Sequence, residues 1–243
     1  MFIPLRDDNP TTIQPMVRIG TIALCVLVFL WQLTLDEDGL ERFVYAFGMI
    51  PVVLFDEAEL PPEVAVVSGT VSLFTSMFLH GGFMHIAGNM LYLWIFGNNV
   101  EDAMGHARFI AFYLICGVAA ALAHAFADPV SEIPTIGASG AIAGVLGAYL
   151  VLHPRANIQV LLFLGVFSRM LTLPAVAVLG FWLLLQIVNA ALGGAGGGGV
   201  AWFAHIGGFI AGMVLIPFFK HGHVRLLDAG RGERGPWRRG PWG

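Results

Sequence analysis

Gly137-Ala138-Ser139-Gly140 leads into Ala141-Ile142-Ala143-Gly144-Val145-Leu146-Gly147-Ala148-Tyr149-Leu150, and this stretch decides the fold. A serine stands where a polar loop turns into an apolar run of small residues. Gly140, Gly144 and Ala148 recur every four residues and so share one helix face. In a membrane such a stripe lets a second helix approach closely. One reading is a packing helix with Ser139 as its N-cap. The other is a helix that carries a reactive hydroxyl at its start. The rest of the chain decides between them.

Of the 243 residues, 57% are hydrophobic and 12% charged. The charged share is about half the ~25% of a soluble domain, and the mean hydropathy is +0.79. These values predict an all-α, polytopic membrane protein with one domain over 1–243. Cys25 and Cys116 each lie inside an apolar run, with neither a disulfide framework nor a metal-ligand spacing.

Six apolar runs are read as spans, at about 17–35, 83–100, 108–127, 139–153, 171–192 and 200–219. A crossing helix needs ~20 residues. The connection 36–82 is acidic, with Arg42 its sole basic residue, and its apolar pieces predict short helices at the interface. Span four is only ~15 residues, or ~22 Å long, against a hydrocarbon core of ~30 Å. Its start is expected below one surface, reached by a dipping loop. Ile158–Phe167 reads as a surface-lying hairpin. The run Gly193–Gly199 is read as a mobile cap over the site. The basic tail, 220–243, is expected to be disordered. Neither a signal-peptide cleavage site nor a transit-peptide composition is seen near the start. Eleven Lys and Arg residues fall on the side of the termini and only Arg42 on the other. The positive-inside rule then predicts cytoplasmic termini and an outward-facing Ser139.

With that topology, four polar residues from three spans share a depth: Ser139, His205, His85 and Asn89. Polar side chains in a membrane usually face a bundle interior or a water-filled cavity. Ala204, Gly208 and Gly212 repeat the four-residue stripe in span six, so spans four and six can approach closely. That approach brings Ser139 toward His205 as a nucleophile toward its base. All Asp and Glu lie in loops, tails or span ends, so a Ser-His dyad is favoured over a triad. His85 and Asn89 are four apart on one face and can donate hydrogen bonds. With the amides opening span four, they could hold an oxyanion. A lone His in a membrane helix more often makes a helix–helix hydrogen bond, and His124, His106, His153, His221 and His223 are read so. His80, before Gly81-Gly82, shapes the loop or lines the cavity. Metal ligation by His80, His85 and His205 would lack any carboxylate or cysteine, so no metal site is expected.

These residues resemble the rhomboid intramembrane serine proteases over nearly the whole chain. The matching pieces are His80-Gly-Gly-Phe-Met-His85-Ile-Ala-Gly-Asn89, Gly137-Ala-Ser139-Gly140 and Ala204-His205-Ile-Gly-Gly208-Phe-Ile-Ala-Gly212, with Glu101 and Gly105 after span two. The resemblance implies Ser139 as nucleophile and His205 as general base. It implies His85, Asn89 and the Ser139 amide as oxyanion donors, with Gly137, Gly140, Gly208, Gly212 and His80 structural around them. It implies a hydrolase that cleaves membrane-anchored proteins within or near a transmembrane segment. The implied partners are such substrates and the lipid bilayer, with no cofactor, metal or nucleic acid. The minimal six-span length favours a bacterial plasma membrane. Two positions depart from the family. Val71-Ser72 stands where many members carry Trp-Arg, which bears on loop anchoring. Ala143 stands where many carry a Tyr that stacks on the catalytic His, which bears on how His205 is oriented. The competing classes are a catalytically dead rhomboid-like binder and a transporter. The first would lack Ser139 or His205. The second would show paired repeats or intramembrane charges.

Overall fold

The computed structural model describes residues 2–165, 167–193 and 200–227. Strand β1 (Phe2–Asp7) precedes helix α1 (Met16–Gln32). The acidic connection folds into α2 (Glu37–Phe47), α3 (Pro51–Leu54), α4 (Gly69–Thr75) and a 3₁₀ turn at Ser76–Phe78. Two long helices follow, α5 (Phe83–Met104) and α6 (His106–Ala127), and then α7 (Ser139–Leu152). A hairpin of β2 (Asn157–Leu164) and β3 (Phe167–Pro174) leads to α8 (Ala175–Gly193) and α9 (Trp202–Phe219). Among the described residues, α6, α8 and α9 are long and apolar enough to cross a membrane, while α1 and α7 are apolar but shorter.

Helix α7 is the axis of the molecule. Gly140 through Tyr149 and Leu152 are all buried, in contact with α5, α6, α8 and α9. Small residues make this possible. A Cβ on Gly208 would strike the Gly140 carbonyl, and one on Gly147 would strike the Phe209 carbonyl. A Cβ on Gly140 would sit 2.6 Å from the Ala120 Cβ of α6. The α7–α9 contact is thus made backbone to backbone, as the two small-residue stripes require.

The all-α expectation is corrected by a three-stranded antiparallel sheet in the order β1-β2-β3. The hairpin is longer than Ile158–Phe167, and its second strand takes Leu171–Pro174 from the expected start of span five. It is also not merely surface-lying, because Ile158 and Val160 are fully buried in the main core. Strand β1 pairs Phe2 with Leu162 and Asp7 with Ile158, with a register shift between Pro4 and Arg6. A proline lacks the amide that a regular ladder needs, and an edge strand beside a bulge tolerates it. The tail does not begin its free course at Lys220. The His221 amide donates to Ala103 O and the Leu227 amide to Val151 O, while Val224 and Leu226 pack on the core. The rest of the expected disordered tail, from 228 on, lies outside the described residues.

The entry to α1 is held by α5. Pro15 offers no side-chain cap. The buried Glu101 carboxylate instead accepts the Val17 and Arg18 amides at 2.9 and 2.8 Å. It also lies 2.6 Å from His106 Nδ1. Asp102 accepts the Thr12 hydroxyl at 2.6 Å and the amides of Thr12 and Ile13. These acids receive the orphan donors of a helix start and tie the chain before α1 to the end of α5.

Candidate active site

Ser139 is the first residue of α7, and the amides of a helix's first turn have no intrahelical acceptor. The backbone just before it needs glycine. Gly137 has φ +124°, a conformation that L side chains rarely adopt. A Cβ there would also lie 2.6 Å from His85 Nε2 and 3.7 Å from Asn89 Nδ2. The two α5 side chains therefore lie against the turn that delivers Ser139.

That turn is held from outside the bundle. Gly137 N–H donates to Ser76 O at 2.8 Å, and Met49 and Thr135 exchange both backbone hydrogen bonds. At Val71-Ser72, where the resemblance leads one to expect Trp-Arg, the buried Ser72 hydroxyl donates to Gly69 O at 2.7 Å. Thr75 Oγ1 donates to Phe47 O. The Ser72 bond stays within α4, and the connection is anchored by the Thr75 hydroxyl and by the backbone bonds at Ser76 and Met49.

His85 and Asn89 are both available as donors. Gly81 N–H donates to His85 Nδ1 at 3.3 Å, so the proton of a neutral His85 resides on Nε2, the atom nearest Gly137. Asn89 is buried, and its Nδ2 has no protein partner. A buried amide donor left unmade is costly, which marks Asn89 as a group awaiting an acceptor. His80 is 1% exposed, and neither ring nitrogen has a protein partner. Its ring meets the His85 ring edge-on at 5.2 Å, and its backbone is clamped by Gln32 of α1 in both directions. It shapes the loop before α5. Among the described residues no group of His, Cys, Asp and Glu is placed to hold a metal ion.

His205 lies one turn into α9. Its neighbour Ala204 faces Gly140, with the Ala204 Cβ and carbonyl oxygen each 3.9 Å from a Cβ built on Gly140. Ser139 and His205 therefore flank the point where α7 and α9 meet. His205 Nδ1 is 2.8 Å from Gln186 Oε1 on α8. The Trp182 ring lies 5.7 Å from it at 42°, and Trp202 meets it edge-on at 6.2 Å. Neither Gln186 nor Trp182 stands out if span five is read only as an apolar run. The signal in the sequence is an amide four residues after a tryptophan, which puts both on one helix face, although Asn189 is a second amide in the same run. The cap assigned to Gly193–Gly199 lies outside the described residues from Gly194 on.

The Rhomboid domain family model matches residues 68–221, well over half of the chain. The chain belongs to the rhomboid family. It is 29% identical to the mitochondrial Rhomboid protein 1 of Saccharomyces cerevisiae over 79% of this chain and 58% of the yeast protein. It is 34% identical to the rhomboid protease GluP of Bacillus subtilis over 80% of this chain but only 37% of that protein. YdcA of Bacillus subtilis matches at 26% identity over 88% of this chain and 94% of its own length. Against the first two of these relatives this rhomboid covers little over half of the length or less. The matched region runs from α4 through α9 and contains the His85, Asn89, Ser139, Gln186 and His205 positions. It leaves β1 and α1 outside.

Proposed function

We propose that this rhomboid is an intramembrane serine endopeptidase working through a Ser139–His205 dyad. The observation that carries the reading is the meeting of α7 and α9 at Gly140 and Ala204, beside two unused donors on α5. Ser139 Oγ attacks the scissile carbonyl, and His205 Nε2 takes its proton. The oxyanion is held by His85 Nε2–H, Asn89 Nδ2–H and the Ser139 amide. The C–N bond then breaks, and the leaving amine takes the proton from His205. Water, deprotonated by His205, hydrolyses the acyl-enzyme and restores Ser139. The substrates are membrane-anchored proteins cut within or near a transmembrane segment.

The spans in this reading are α1, α5, α6, α7, α8 and α9, with both termini cytoplasmic. The sheet then lies on the inner side and Ser139 toward the outer side, with α7 too short to reach both surfaces. The test is cleavage of a transmembrane reporter in liposomes, together with fluorophosphonate labelling. Wild type should cut and label at Ser139, and Ser139→Ala and His205→Ala should each be inactive yet folded. Full cleavage by Ser139→Ala would refute the dyad. Absence of cleavage and of labelling in the wild type would leave a helix-binding rhomboid without activity.

A further inference from the structure

Ala143 leaves α7 without an aromatic ring for His205, so the imidazole must be oriented from elsewhere. Helix α8 supplies what α7 lacks. Gln186 is 6% exposed and, with Asn189, is one of two side-chain amides on a mostly apolar helix. Its Nε2 donates to Trp182 O at 3.0 Å. A carbonyl oxygen only accepts, so the NH₂ end of the amide must face Trp182 and the oxygen end must face His205. An amide oxygen also only accepts. His205 Nδ1 must therefore carry the proton and donate it to Gln186 Oε1 across 2.8 Å. The lone pair of the neutral ring is then left on Nε2, the nitrogen a general base needs. Trp182, one turn before Gln186, covers the ring and in turn stacks on Phe209 at 6.0 Å and 25°.

We propose that Gln186 is the positioning residue for His205, selecting its Nδ1–H tautomer from α8, with Trp182 fixing the plane of the ring. The proposal rests on the dyad reading for its catalytic consequence, but the tautomer itself does not. The amide stands where a triad has its carboxylate. It orients the imidazole as a carboxylate would, without contributing a negative charge. The titratable groups facing His205 are His85 from α5 and His124 from α6. Helix α7 brings none in its first two turns, and α8 faces the ring with Gln186 and Trp182.

The test uses the full chain in liposomes with Gln186→Leu and Gln186→Glu, Ser139→Ala serving as the inactive reference. A neutral hydrogen bond of this kind corresponds to roughly 3- to 10-fold in an equilibrium or rate. Gln186→Leu should lower kcat by about ten-fold with KM little changed. Gln186→Glu keeps an acceptor for Nδ1–H and should recover most of that loss. By stabilising the imidazolium it should also move the acid limb of the kcat profile to higher pH, which a purely structural role would not do. Independently of activity, ¹⁵N spectra of His205 in the Ser139→Ala background should show Nδ1–H, and adding Gln186→Leu should populate Nε2–H. An unchanged kcat in Gln186→Leu, an unmoved acid limb in Gln186→Glu, or an unchanged tautomer in Gln186→Leu would overturn the proposal. If wild type does not cleave, the dyad reading fails and the ¹⁵N result still decides the role of Gln186.

Discussion

Gly212→Ala is the sharpest test of how α7 and α9 meet. A Cβ built at Gly212 would lie 2.6 Å from the Gly144 carbonyl carbon and 2.7 Å from its Cα, with the carbonyl oxygen closer still. Comfortable carbon–carbon contact begins at about 3.5 Å. The helices must therefore part by roughly 1 Å, because every atom in the way is backbone and none can rotate aside. Helix α7 is buried on all sides, so the movement breaks contacts beyond the mutated pair. Overpacking costs typically about 1–3 kcal/mol, and a backbone obstacle places this change at the upper end. Gly212 lies two turns beyond His205, and a misplacement of ~1 Å at a reacting group can cost about 10² in rate. The assay is thermal unfolding in detergent beside reporter cleavage per folded molecule. Both should fall. Gly180→Ala is the control, since nothing lies within 4 Å of its added methyl. Gly-to-Ala inside a helix is worth about 0.5–1 kcal/mol of stability, so that variant should melt no lower than wild type. A Gly212→Ala protein that melts and cleaves like wild type would mean the two backbones are not in contact.

Two further outcomes follow from the site and the sheet. His85→Ala with Asn89→Ala should lower turnover by at least about 10², while melting shifts little, because a hydrogen bond across spans averages roughly 0.6 kcal/mol. Near wild-type turnover in the double variant would reduce both to structural donors. Asp7, in β1, accepts the Tyr149 hydroxyl at 2.6 Å, yet burial raises its carboxyl from 3.8 to about 6. The folded state thus binds the proton more tightly than the unfolded chain, so stability should fall as pH rises from about 4 to about 6. The loss is at most about 3 kcal/mol. Asp7→Asn should flatten this stretch of the melting-temperature profile and melt higher at pH 7, and an unchanged slope would refute the burial argument.

The helices that build the site were largely legible, because their signals are local. The small-residue runs place α7 at 139–152 and α9 at 202–219, close to the expected 139–153 and 200–219. Asp36 caps α2 by accepting the Gly39 amide, a pattern readable from neighbouring residues. What was not legible depends on distant partners. Phe2-Ile-Pro-Leu-Arg-Asp reads as a polar, proline-broken lead-in, and becomes a strand only because β2 offers an edge. Leu171–Pro174 is as apolar as a span, but its backbone is claimed by Asn157–Gln159 and Val160 of the hairpin. The role of Gln186 is hidden for the same reason. In sequence it interrupts an apolar run, and only the fold brings His205 to its amide oxygen.

The pairing of β1 with β2 sets an order on assembly. Arg6 donates to Gln159, 153 residues later in the chain. At about 5–20 residues per second of synthesis, β1 waits roughly 8–30 s for its partner strand to be made. Asp102 is available earlier, 90 residues after Thr12, so the segment can first be moored at the end of α5 and only later zipped onto the hairpin. The end of the bundle opposite Ser139 is thus closed by a strand made well before its partner, at a time set by the synthesis of β2. Mooring by Asp102 spares this stretch from searching freely for β2 and shortens the loop that the late pairing must close.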